Sequence, residues 1–240
     1  MNQQDKINSE KNYHNQVFSG KIDNRSFTSK FYRMNRSSSD YYNKVLQSEI
    51  VGKSVLEFGC GVGANFPIVS EKAKEYCGVD ISDEAIKIAK GRYGEAFIVD
   101  DCEALKIDQK FDLIFGSSIL HHLDNEKACN SLTSKLNPSG KILFLEPLGK
   151  NPLINFYRRI TPNQRTPDEH PFVDKDIQVY KKYFNLKINY FSLFNVLSLP
   201  FLNLPIGEKL YEITDRIDQN LRHILGPNYC KVILHGDLKN

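Results

Sequence analysis

The chain has 240 residues, 40% of them apolar and 25% charged, with a net charge of +3. That length suits one domain with a sizeable core, and the composition is that of an ordinary folded globule. So small a positive excess, without any basic tract, argues against a nucleic-acid partner, and five cysteines lacking a C-x-x-C pair argue against a disulfide framework or a zinc cage.

Residues 1–38 mix Asn, Ser, Gln and Lys with aromatics at Tyr13, Phe18, Phe27, Phe31 and Tyr32. A purely disordered tail carries fewer aromatics, so this segment reads as an arm, loose at its start, that docks and leads into a helix near 40–48. Its first eleven residues are polar and hold no apolar stretch for a secretion signal, which points to a cytoplasmic protein. From Lys53 short apolar runs alternate with helical segments, the signature of a parallel sheet with crossover helices. Strands are expected at 54–58, 75–80, 96–100, 111–116 and 141–146, with helices at 64–73, 83–92 and 125–136. Ser82 is placed to cap the second helix, and Asn137-Pro138-Ser139-Gly140 to stop the third. Residues 151–172 carry four prolines and three arginines and read as a loop-rich insertion. A helix over 174–184, a strand over 186–193, an amphipathic helix over 208–225 and a strand over 229–234 follow. The apolar run 190–206 is broken by Asn195, Pro200, Asn203 and Pro205 and falls short of the ~20 residues that span a bilayer.

The first strand leads into Glu57-Phe58-Gly59-Cys60-Gly61-Val62-Gly63-Ala64. Alternating glycines let the backbone turn tightly and approach a ligand, while the next helix leaves free N–H groups to meet it. Gly59, Gly61 and Ala64 also satisfy the dinucleotide G-x-G-x-x-G/A pattern, so this loop alone leaves the cofactor open. Asp80 ends the second strand, where a carboxylate accepts ribose hydroxyls; a helix-capping acid before Ile81-Ser82-Asp83 is the plainer alternative. At the third strand end, Asp101 is suited to an adenine amino group and the backbone of Cys102 to a ring nitrogen.

Taken in order, these segments, together with Phe111-Asp112-Leu113-Ile114-Phe115-Gly116-Ser117-Ser118, His121-His122-Leu123 and Leu136-Asn137-Pro138-Ser139-Gly140, closely resemble the class I S-adenosylmethionine-dependent methyltransferases over about 53–146. The resemblance implies a Rossmann-like α/β fold. Its sheet would have seven mostly parallel strands, the last one antiparallel, with helices on both faces and an N-terminal helical arm. It implies S-adenosyl-L-methionine as cofactor: the loop of Gly59, Cys60, Gly61 and Gly63 on the methionine portion, Asp80 with Ile81 at the ribose, Asp101 with Cys102 at the adenine, Glu57 orienting the amino group, and Ser117 lining the pocket. Tyr13 would come from an arm, residues 1–38, folded over that site, while 147–173 and 194–207 would form substrate-side insertions of a domain covering 39–240. The family pattern often has Gly or Asn at Asp100 and Ala at Cys102.

Because the methyl group arrives already activated on a sulfonium, the protein has mainly to align a nucleophile and exclude water. A hydroxyl or ammonium acceptor must also lose a proton, which makes His121, His122 and His170 the candidate bases; packing is the alternative role for the first two. The acceptor is expected to be a small molecule, no metal is expected because no carboxylate cluster stands near strands four and five, and the working unit is a monomer or homodimer. Two other functions fit less of the sequence. An NAD(P)-dependent oxidoreductase would use the glycines and Asp80, with Tyr183 and Lys187 in Y-x-x-x-K spacing. A non-catalytic protein of this fold would only bind the cofactor or a partner.

Overall fold

A computed structural model describes residues 3–20, 33–152, 155, 159 and 172–239. Helix α1 (Gln3–Phe18) replaces the loose start expected of the arm; its run of Gln, Lys and Glu favours helix, with Asp5 in the first turn complementing the helix dipole. Helix α2 (Arg36–Glu49) leads to β1 (Ser54–Phe58), α3 (Phe66–Ser70), β2 (Glu75–Asp80), α4 (Asp83–Tyr93), β3 (Phe97–Val99) and β4 (Phe111–Ser117). A 3₁₀ turn (Leu120–His122), α5 (Asn125–Lys135), β5 (Leu136–Pro147), α6 (Asp174–Tyr183) and β6 (Phe184–Phe191) come next. A second 3₁₀ segment (Phe194–Phe201), α7 (Pro205–Leu225) and β7 (Lys231–Leu238) complete the order.

The seven strands form one sheet in the order β3-β2-β1-β4-β5-β7-β6. The first five pair in parallel, and β7 runs antiparallel to both β5 and β6. Strand β1 is buried throughout, as befits the centre of a sheet covered on both faces. On one face Tyr42, Leu46 and Ile50, spaced four apart along α2, meet Val55, Leu113, Phe115, Leu143 and Ile233. The alternate residues Leu56, Ile114, Ile142 and Phe144 face Cys129 and Leu132 of α5 and Ile177 and Tyr180 of α6. Tyr42 also donates its hydroxyl to the Gly116 carbonyl at 3.1 Å. The loops that follow the parallel strands gather at their C-terminal ends.

Several boundaries differ from the sequence expectation for local reasons. Ser82, however, caps α4 as expected, accepting the Ala85 N–H. Asn137–Gly140 interrupts β5 without ending it: Phe111 pairs with Leu136, and pairing resumes at Leu113 with Lys141, so the four residues form a bulge. Strand β6 ends at Phe191, since Ser192 takes a left-handed φ of 67°. Residues 194–207 form a satellite core in which Val196, Leu199 and Leu202 pack on Met34, Tyr211 and Cys230. Among the described residues no helix is long and apolar enough to cross a membrane.

Gly63 has a φ of 75°, and a Cβ there would lie 2.8 Å from the Phe97 ring. Replacing Gly63 by Ala is therefore expected to lower unfolding free energy by about 2–3 kcal/mol, read from the midpoint of a denaturant titration.

Candidate functional site

The ends of β1, β2 and β4, the loop after β3 and helix α1 enclose a cavity of about 230 Å³. Gly59 and Gly61, at φ values of 69° and 52°, form its floor; a Cβ on Gly59 would come 2.8 Å from Ile119, and one on Gly61 3.4 Å from the Phe18 ring. The glycines thus keep open a space that side chains would fill. Cys60 and Gly63 belong to the same loop but lie off the cavity wall: Cys60 packs with Ile86, Ala89 and Phe97.

Asp80 lines the cavity, with one carboxylate oxygen accepting the Gly61 N–H at 2.8 Å and the other the Ser82 N–H at 2.9 Å. Ile81 lies beside it on the wall. After β3 the two adjacent aspartates divide their work. Asp100 is buried and accepts the N–H groups of Asp101 and Lys106, holding the turn closed. Asp101 and Cys102 line the cavity, and Asp101 accepts the Glu103 N–H at 2.8 Å. Beyond β4, Ser117 is exposed and Ser118 takes a left-handed φ of 56°. This unfavourable conformation is fastened by the Ser118 N–H to the Leu145 carbonyl at 2.8 Å. It brings Ser118, Ile119, His122 and Leu123 onto the cavity wall.

The two neighbouring histidines face different ways. His121 is buried, its Nδ1 lying 2.7 Å from Glu146, whose other oxygen accepts the Ile119 and Leu120 N–H groups. Burial would raise the Glu146 carboxyl; the bond and charge of His121 and the two N–H donors outweigh it and hold Glu146 below its ordinary value. His122 faces the cavity with Glu10, His14 and Phe18 of α1. Glu10 escaped the sequence reading, although its spacing of four from His14, and that of His14 from Phe18, puts all three on one helix face. Tyr13 packs edge-on against His14, with ring centroids 5.5 Å apart, off the cavity wall. His170, Arg158, Arg165 and most of the insertion 147–173 lie outside the described residues.

Glu57 stands behind the glycine loop rather than in the cavity. Tyr76 donates to one of its oxygens at 2.5 Å and Asn65 to the other at 2.6 Å. Burial lifts its carboxyl from 4.5 to about 7, against those two donors and with the charge of Asp80 adding to the rise. An acid whose folded-state value is raised binds its proton more tightly when folded, so its contribution to stability declines as pH climbs from 4.5 to about 7. Glu57→Gln is expected to remove that decline, leaving the variant more stable than the parent above neutrality by on the order of 3 kcal/mol. Parallel denaturant titrations of both proteins from pH 5 to 8 measure the difference.

Of the features that favoured an oxidoreductase, the Tyr183 and Lys187 pair lies away from the cavity. Tyr183 donates to Glu126 at 2.8 Å, and Lys187 sits on β6 at the sheet edge. The antiparallel β7 also departs from the 3-2-1-4-5-6 order of dinucleotide-binding sheets.

Comparison with known proteins agrees with this topology. The chain is 36% identical over 102 residues to malonyl-[acyl-carrier protein] O-methyltransferase 2 of Ilyobacter polytropus, covering 38% of each protein. It is 31% identical over 103 residues to the ubiquinone biosynthesis O-methyltransferase of Idiomarina loihiensis, covering 40% of this chain and 42% of that one. The chain thus spans about two fifths of the length of the curated relatives it matches. In fold it is similar to a Thermotoga maritima methyltransferase described as a possible histamine N-methyltransferase, at 15% identity and a TM-score of 0.59 over 88% of this chain and 94% of that one. Similar too is the magnesium protoporphyrin IX methyltransferase of Synechocystis, solved with bound S-adenosylmethionine, at 15% identity and a TM-score of 0.58 over 98% and 97%. The family profile described as a methyltransferase domain matches residues 31–191, more than half of the sequence, and the chain belongs to that family.

Proposed function

We propose that this protein transfers a methyl group from S-adenosyl-L-methionine to a nucleophilic O, N or C atom of a small molecule. The observation that carries the reading is the meeting of Asp80, the side-chain-free loop at Gly59 and Gly61, and the Asp101–Cys102 turn on one cavity. Asp80 has acceptor capacity left for ribose hydroxyls after its two backbone bonds. Asp101 is suited to an amino group on a base, and the glycine loop to the amino-acid portion. A Cβ at Gly59 would meet Ile119 at 2.8 Å and one at Gly61 would approach Phe18, a cradle that fits a ligand pressed close to the backbone. When bound, the cofactor supplies a methyl group activated by its sulfonium.

The remaining steps belong to the chain. Phe18, Ile119 and Leu123 exclude water from the acceptor end, and His122 is the base available there to take a proton from the acceptor. His121, bonded to Glu146, holds the turn that carries His122. The protein's own nucleophiles stay quiet: burial pushes the thiols of Cys60 and Cys102 well up, keeping them as neutral, unreactive S–H groups. Five unpaired cysteines fit a reducing cytoplasmic setting, and a monomer or homodimer suffices for such a site. The O-methyltransferase names of the sequence relatives support an oxygen acceptor.

Asp80→Ala is expected to weaken binding of S-adenosyl-L-homocysteine by roughly ten- to a hundredfold, since ribose hydroxyls would be left unpaired, and Gly61→Arg to abolish it. Isothermal calorimetry on both variants, with circular dichroism to check folding, tests this; wild-type affinity in both would overturn the assignment.

A further inference from the structure

Three ligating atoms from two separate elements converge at the arm end of the cavity. Glu10, His14 and His122 each offer one ligating atom, and the three atoms lie within 4.8 Å of one another. The carboxylate oxygen is 3.4 Å from His14 and 3.5 Å from His122. Among the described residues these spacings are longer than those of His121 with Glu146, at 2.7 Å, and of His235 with Glu49, at 3.2 Å. A carboxylate joined to an imidazole by a charge-assisted hydrogen bond settles at roughly 2.7–2.9 Å. Ligands arranged tetrahedrally around an ion with bonds of ~2.1 Å stand about 3.4 Å apart instead. Two edges of the cluster have that length.

The donor set also matches. Two imidazoles and one carboxylate suit a borderline divalent ion, and zinc held by such a trio keeps a fourth position for water or substrate. Glu10 and His14 lie one helical turn apart, so α1 fixes their separation. His122 rides on the Leu120–His122 turn, which the buried Glu146 fastens through Ile119, Leu120 and His121. Glu10 is itself only 7% exposed, in a cavity walled by Phe18, Ile119 and Leu123, where a counter-cation is favourable for a carboxylate.

We propose that Glu10, His14 and His122 form a site for one divalent cation of the zinc type, with its open position directed into the acceptor end of the cavity. Its role rests on the methyl-transfer reading and stands in for a base at His122, whose ring, bound through Nδ1, would keep its proton on Nε2: the ion would hold and acidify an oxygen donor of the acceptor and tie α1 to the turn after β4. This runs against the metal-free site expected from the sequence, because the ligands come from the arm and that turn rather than from carboxylates of strands four and five.

The test uses the full chain without an affinity tag, stripped with a chelator and titrated with Zn²⁺ by calorimetry, and with Co²⁺ followed by visible absorption. One ion per chain is expected. Glu10→Gln, His14→Ala and His122→Ala are each expected to weaken Zn²⁺ binding by roughly tenfold or more, while His235→Ala, outside the cluster, leaves it unchanged; circular dichroism establishes that each variant is folded. Absence of saturable Zn²⁺ binding by the parent, or parental affinity in all three folded cluster variants, would overturn the proposal. S-adenosyl-L-homocysteine is titrated in parallel. Zn²⁺ binding without nucleoside binding would sink the methyl-transfer reading and leave the ion site standing, and the reverse pattern would sink the ion site alone.

Discussion

One carboxylate holds the crevice together. Asp80 accepts the N–H of Gly61 with one oxygen and that of Ser82 with the other, so the end of β2, the glycine loop and the first turn of α4 are fixed by a single side chain. The loop can be held this way because Gly61 occupies a left-handed conformation, with Phe18 above it. Strand β1 reaches the same edge beside β2 in register, Phe58 opposite Val79, and the Cys60 N–H closes onto the Val79 carbonyl at 2.9 Å. A parallel pair and one acid thereby create a backbone surface that a ligand can approach.

Charge at this edge is arranged in one sense. Asp80, Asp101, Glu103 and Glu10 all border the cavity, and low-dielectric walls concentrate their field on whatever enters. Glu57, one layer behind, is raised to about 7 by burial with Asp80 adding to the effect, so it adds little negative charge of its own below neutrality. The neighbouring thiols are held neutral. A ligand carrying positive charge is what such a row of carboxylates favours, and the tight turns before them leave room for a flat or extended molecule rather than a bulky one.

The parts of this arrangement that were legible in the sequence are those whose constraint is local. Alternating glycines specify left-handed turns; apolar runs bounded by Asp80 or Gly116 specify buried strands; Ser82 before an Asp-Glu pair specifies a helix start. What escaped depends on partners distant in the chain. Whether His121 or His122 faces the cavity is decided by Glu146, a strand away, which captures the first and leaves the second. Glu57, expected at the ligand, stands off the cavity wall behind the glycine loop, where Tyr76 and Asn65 donate to its oxygens. Helix α1 lacks the apolar stripe by which amphipathic helices are recognised, so Glu10 carried no signal beyond its spacing from His14. Ser118 adopts a conformation that only a glycine would have announced.

Helix α1 is fastened to the rest of the molecule chiefly through polar groups. Lys11 pairs with Asp83 at 2.7 Å, and Asn15 receives the Ser82 hydroxyl and the Glu84 N–H, while its aromatic residues Tyr13 and Phe18 are only half-buried. Contacts of this kind cost little to break and weaken as salt rises, in contrast to the greasy packing that secures α2. The crevice thus has a floor built on the sheet and a wall whose attachment depends on ionic strength.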